Sequence, residues 1–99
     1  MDTDTLERGI EKRKNHIFRN IEGHFPNDTP TNRKCLIDTA LNLDNYLGKD
    51  KWGNHWYANN NSNGKQIWVQ VRRGEIINGG INNNPRLWNP LTGFSRLSP

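Results

Sequence analysis

Apolar residues early in the chain recur at helical spacing. Leu6, Ile10, Ile17 and Ile21 lie four, seven and four positions apart, which predicts one stripe along a first helix. Asp4 suits its N-cap, Glu7 three residues on completes a box-like pattern, and Gly23 suits the position just past its end. Arg13 and Lys14 interrupt the stripe at its middle. A second helix is predicted to start near Thr29, with Asp28 or Thr29 as cap and Pro30 at the first helical position, where no amide hydrogen is needed. Leu36, Ile37, Ala40 and Leu41 form its buried face, and the run from Asn42 to Asn45 stops it.

After Gly48 the period shortens. His55 to Ala58 predicts a short strand, and Asn59 to Gly64 reads as turn material. From Lys65 to Arg72 the chain alternates: Ile67, Val69 and Val71 face one side, Gln66, Trp68, Gln70 and Arg72 the other. Arg73-Gly74 is a tight turn, Glu75 to Asn78 the returning strand, and Gly79-Gly80 a break. The proline-rich remainder, with Pro85, Pro90 and Pro99, predicts a loop with one short strand near Phe94. Helices first and hairpin-linked strands second predict an α+β fold, two N-terminal helices packed on a small antiparallel sheet. The helical part is expected at about 4–43 and the sheet part at about 54–95, within a single domain spanning 1–99. One sheet face packs on the helices. The other is expected to be free to bind.

Composition changes this picture in two ways. Only 31% of the residues are hydrophobic, against the usual ~45–50%, so the core must be small and stability marginal or helped by a partner. Charge is divided unevenly. Residues 1–50 hold eight Lys+Arg against nine acids, while residues 51–99 hold six (Lys51, Lys65, Arg72, Arg73, Arg86, Arg96) against Glu75 alone. The basic half also carries all four Trp, a pairing that suits a polyanion whose bases stack. Sixteen asparagines, several in runs, read first as loop tips, although their amides also hydrogen-bond bases and phosphates. The single Cys35 excludes an internal disulfide and a cysteine-based zinc cluster, and suits a reducing compartment or a domain cut from something larger. No apolar stretch approaches a membrane span or a signal peptide.

Candidate chemistry is sparse. His16, His24 and His55 lack metal-ligand spacing, and no glycine-rich phosphate loop precedes a helix, so neither a metal site nor a cofactor is expected. RNA cleavage needs neither. The 2′-hydroxyl of the RNA is the nucleophile, and the protein supplies a base, an acid and cations around the phosphorane. His24, oriented at a helix-to-loop junction, is the first candidate for proton transfer; its plain role is a helix-end hydrogen bond. His16 lies beside the basic Arg13–Arg19 stretch and is the second, with packing or solvent exposure as the alternative. Arg72, on the polar strand face, is expected to contact phosphate, and Thr92 and Ser95 either do so or belong to a turn. Arg19, Lys65 and Arg86 add RNA-binding charge. Trp68 and Tyr57 offer rings for stacking, or belong to a second core or an inhibitor surface.

Several runs resemble one family. Asn15 to Arg19, Gly23-His24-Phe25-Pro26-Asn27-Asp28-Thr29-Pro30, Asn45 to Gly48, Gly53 to Ala58, Gln66 to Arg72, Gly74 to Gly80 and Pro85 to Gly93 are similar to C-terminal toxin domains of bacterial polymorphic toxins. Such domains end the exoproteins of contact-dependent growth inhibition and the Rhs-type toxins. The resemblance covers roughly residues 15–95. It implies a barnase/EndoU/colicin/RelE-like nuclease, helices followed by an antiparallel sheet, that cleaves RNA, often tRNA, without metal. It also implies a cognate immunity protein, which by charge should be acidic, and functional roles at His24, Arg72 and Thr92, then His16 and Arg19. Delivery would be by secretion or from a cell surface within a larger exoprotein, with action in the target-cell cytoplasm. The alternative is a non-catalytic nucleic-acid-binding module.

Overall fold

A computed structural model describes residues 1–61 and 63–94. The fold is α+β, with a four-stranded antiparallel sheet in the order β1-β2-β3-β4. Three helices precede it: α1 (Thr3–Lys12), the single turn α2 (Lys14–Ile17) and α3 (Pro30–Leu41). The strands are β1 (Tyr46–Lys49), β2 (His55–Asn60), β3 (Gln66–Arg72) and β4 (Glu75–Asn82). Among the described residues no helix is long and apolar enough to cross a membrane.

The expected first helix is two helices. Asp2, not Asp4, caps α1, accepting from the Asp4 amide. The helix breaks at Arg13, whose guanidinium turns back to the Gly9 carbonyl (3.3 Å) and to Glu75 Oε1 (3.2 Å). Ile17 remains fully buried, but Ile21 falls beyond α2 and is exposed, so the stripe ends one residue early. Helix α3 begins as its sequence predicts, with Thr29 Oγ1 accepting from the Asn32 amide and Pro30 in the first turn. Leu36, Ile37 and Ala40 are buried, while Leu41 faces solvent.

Ile67, Val69 and Val71 pack with Leu6, Ile10, Leu36 and Ile76 into the main core. The Arg73-Gly74 turn holds both residues at positive φ (54° and 78°), the geometry that matches the strand twist of a two-residue hairpin. Strand β1, pairing with β2 through Tyr46↔Tyr57 and Lys49↔His55, was not expected. Its four residues include Gly48 and are largely exposed, so they lack a strand's alternating burial.

Two corrections matter for function. Gly79-Gly80 does not break β4, which continues to Asn82 opposite Gln66. The glycines are there for close approach. A Cβ on Gly79 would lie 2.9 Å from Leu36 Cδ2, and one on Gly80 would collide with the Gly23 carbonyl oxygen and sit 2.8 Å from His24 Cα. The strand is thus squeezed between α3 on one side and the 18–29 connection on the other. The second correction is that the polar sheet face is not free. Trp56, Trp68 and Phe94 form a smaller second core there, with Trp88 packed against it, because the 86–94 segment folds back over the sheet. That segment carries one isolated bridge, Asn89↔Gly93, in place of a strand.

Candidate active site

The connection between α2 and α3 closes on itself. The Arg19 amide donates to the Phe25 carbonyl (3.0 Å) and the His24 amide to that of Ile21 (3.2 Å). Gly80 allows this loop to cross β4, which brings His24 onto the tryptophan-bearing face. Trp68 fixes it there: Nε1 donates to the Gly23 carbonyl at 2.9 Å, and its ring meets the His24 ring edge-on at 5.6 Å.

His24 Nδ1 lies 2.8 Å from the Ile17 carbonyl oxygen. A carbonyl only accepts, so Nδ1 carries the hydrogen and Nε2 carries the lone pair. Arg19 Nη2 points at Nε2 from 3.4 Å. Burial holds the His24 pKa below the ordinary imidazole value, and the charges of Arg19 and His16 push the same way. The hydrogen bonds with the Ile17 and Gly79 backbone oppose this without reversing it. His24 is therefore neutral near pH 7, with its Nε2 lone pair beside Arg19 Nη2. His16 stands with its ring centroid 6.4 Å away and is likewise shifted down, by partial burial and by Arg19.

His24 lines a cavity of about 260 Å³. Arg19, His24, Trp68 and Arg86 line it together with Trp56, Phe94, Glu22, Gln70, Asn78 and Asn82. Arg86 is set by the buried Gln66 side chain, which accepts from the Arg86 amide (3.0 Å) and donates to its carbonyl (3.2 Å). Among the described residues neither arginine has a carboxylate partner, and Arg19 Nε is buried without an acceptor. The helical half differs. Its larger groove of about 540 Å³ is lined by Arg33, which is already bound to Asp28 (2.7 Å) and Glu11 (3.0 Å). Electrostatic attraction for an anion thus falls on the smaller cavity. Lys65 joins His24 on an adjoining groove with Asn20, Pro26 and Asn83.

Other expected residues lie elsewhere. Arg72 is exposed at the far end of β3, four residues or about 13 Å along the strand from Trp68, and does not line the cavity. Thr92 sits half-buried in the 89–93 turn, its amide 3.4 Å from Asn89 Oδ1, also outside the cavity. Tyr57 is buried in the main core against Tyr46 and cannot offer a face to a base. Trp68 is buried too, and serves as cavity wall and loop anchor instead of an open stacking platform. His55 bonds Tyr46 across β1 and β2 (2.9 Å). Ser95 lies outside the described residues. Among those described, no three His, Cys, Asp or Glu side chains gather as metal ligands would.

Gln70, Asn78 and Asn82 were missed. Asn78, Gly80 and Asn82 alternate onto one face of β4, opposite Gln70, Trp68 and Gln66. That period-two signal disappears once the glycines are read as a break. No known family model, curated protein or solved structure matches the chain.

Proposed function

We propose that the chain is a metal-independent endoribonuclease. The observation that carries this reading is the neutral His24, its tautomer set by the Ile17 carbonyl, in a cavity shared with two arginines that have no acidic partner among the described residues. Nε2 takes the proton of a ribose 2′-hydroxyl, and that oxygen attacks the adjacent phosphorus. Charge grows on the phosphorane oxygens, where Arg19 and Arg86 stabilise it. The P–O5′ bond breaks, and the departing 5′-oxygen takes its proton from water, while the imidazolium of His24 returns its own proton to solvent. The products are a 2′,3′-cyclic phosphate and a 5′-hydroxyl. The nucleophile comes from the RNA and the charge stabilisation from guanidinium, so the chemistry requires no metal or cofactor.

The proposed substrate is tRNA or another structured RNA in a competitor cell, reached by delivery within a larger exoprotein as the toxin resemblance implies. An acidic immunity protein covering the cavity mouth is the proposed antidote, with charge-steered association. Incubation with total RNA in EDTA should give discrete fragments ending in cyclic phosphate. Intact RNA, even with cell lysate added, would remove the enzyme reading. One observation favours a second reading, a non-catalytic nucleic-acid-binding module: Arg72 and Thr92 stand outside the cavity. RNA binding without cleavage, and harmless expression without an antidote, would select it.

A further inference from the structure

The cavity wall formed by β3 and β4 carries two amides of unequal freedom. Gln70 and Asn78 face each other across β3 and β4, both half-buried and both lining the cavity. They do not bond each other. Asn78 Oδ1 accepts from the Gly79 amide at 3.0 Å. That bond fixes the Asn78 amide, because a backbone N–H cannot donate to an NH₂ group. Among the described residues its Nδ2 is the unpaired end, able only to donate. Gln70 has neither end bonded among the described residues and can present its oxygen or its nitrogen. Asn82 is committed, with Nδ2 given to Gln66 Oε1 at 2.9 Å. Glu22 is the carboxylate among the lining residues.

We propose that this cavity takes up one unpaired nucleobase and that Asn78 with Gln70 selects a keto base, guanine or uracil, over adenine or cytosine. The proposal rests on the ribonuclease reading and names its base selectivity. A keto base presents a ring carbonyl beside a ring N–H. The carbonyl accepts from Asn78 Nδ2, and the N–H donates to Gln70 Oε1. An amino base presents an NH₂ where the carbonyl would be, so two donors confront each other at Asn78. Gln70 can turn to suit either edge; Asn78, held by Gly79, cannot. A space of about 260 Å³ admits a base with its sugar but not a base pair, so the nucleotide must come from a loop or an opened strand.

The test is an NMR titration of the folded protein with 3′-GMP, 3′-UMP, 3′-AMP and 3′-CMP, run beside RNA cleavage. The keto nucleotides should bind roughly fivefold or more tighter than the amino ones. Asn78→Asp, of nearly the same shape, replaces the donor by an acceptor and should turn the ratio toward 3′-AMP and 3′-CMP. Equal affinity for all four, or a ratio unmoved by Asn78→Asp, overturns the proposal. RNA cut without base preference together with equal affinities removes base selection and leaves the ribonuclease standing. Keto preference with no cleavage does the opposite.

Discussion

The ring of His24 meets the ring of Trp68 edge-on, centroids 5.6 Å apart and planes at 79°, while the same indole holds the Gly23 carbonyl beside it. One buried side chain of the sheet thus sets both the backbone and the ring of the proposed base. His24 is placed by strand β3, although it belongs to a loop.

His24→Ala should lower RNA cleavage roughly a hundredfold or more, the usual share of a general base. The folded state should survive, because the residue is half-buried and at a loop. Cleavage assays beside a thermal melt check this. Full activity in a folded variant would take His24 out of the chemistry.

The pH dependence follows from the downward shift of His24. A base that must be neutral loses activity as pH falls, so the acid limb of the rate profile should have its midpoint below the ordinary imidazole value of about 6.5. Stability has the same sign. Between the depressed folded pKa and about 6.5 the unfolded chain binds more protons, so stability rises with pH across that window and levels off above it. Denaturant melts from pH 5 to 8 should show this slope, and it should shrink in His24→Ala.

Arg86→Ala should reduce cleavage far more than Arg72→Ala. The first removes a cavity cation, with an expected loss of roughly a hundredfold; the second removes a distant exposed charge, with an expected loss within about threefold. Equal losses would move the phosphate site toward the β3–β4 turn.

Gly80→Ala should destabilise the protein by about 1–3 kcal/mol and displace the 18–29 loop, because the new methyl has no space beside Gly23 and His24. Chemical unfolding measures the first effect. Loss of the His24–Ile17 hydrogen-bond signature in imidazole NMR measures the second.

Asp50 is 5% exposed and accepts from the Trp52 and Asn54 amides and from Trp56 Nε1 (2.8 Å). Burial pushes its pKa up, but these donors outweigh burial and hold the carboxyl below its ordinary value. Its contribution to stability is complete above about pH 4 and is lost as pH falls through the depressed folded pKa. Asp50→Ala leaves the donors unpaired and should cost about 2–3 kcal/mol in urea unfolding.

Local chemistry made much of the fold readable. Thr29-Pro30 marks the start of α3, Arg73-Gly74 the hairpin, and the alternation from Ile67 to Val71 the core face of β3. What was not readable depends on partners distant in the chain. Gly79-Gly80 carries no sign that Leu36 and Gly23 approach from opposite sides. Phe94 and Trp88 carry no periodicity that would announce a cover over Trp56. For the candidate site, residue type brought out His24, Arg19, Trp68 and Arg86. Arg72 falls outside the cavity, since being on the polar face says nothing about position along the strand. The amides were missed because Asn reads as a turn former wherever its strand is not recognised.

The cavity borrows walls from three separated stretches, the last being Arg86 and Phe94. During synthesis at about 5–20 residues per second, His24 leaves the ribosome several seconds before Phe94 does. A nascent chain that has exposed the imidazole therefore still lacks a finished cavity. The last wall of the cavity closes only when the 86–94 segment has emerged and folded over the sheet.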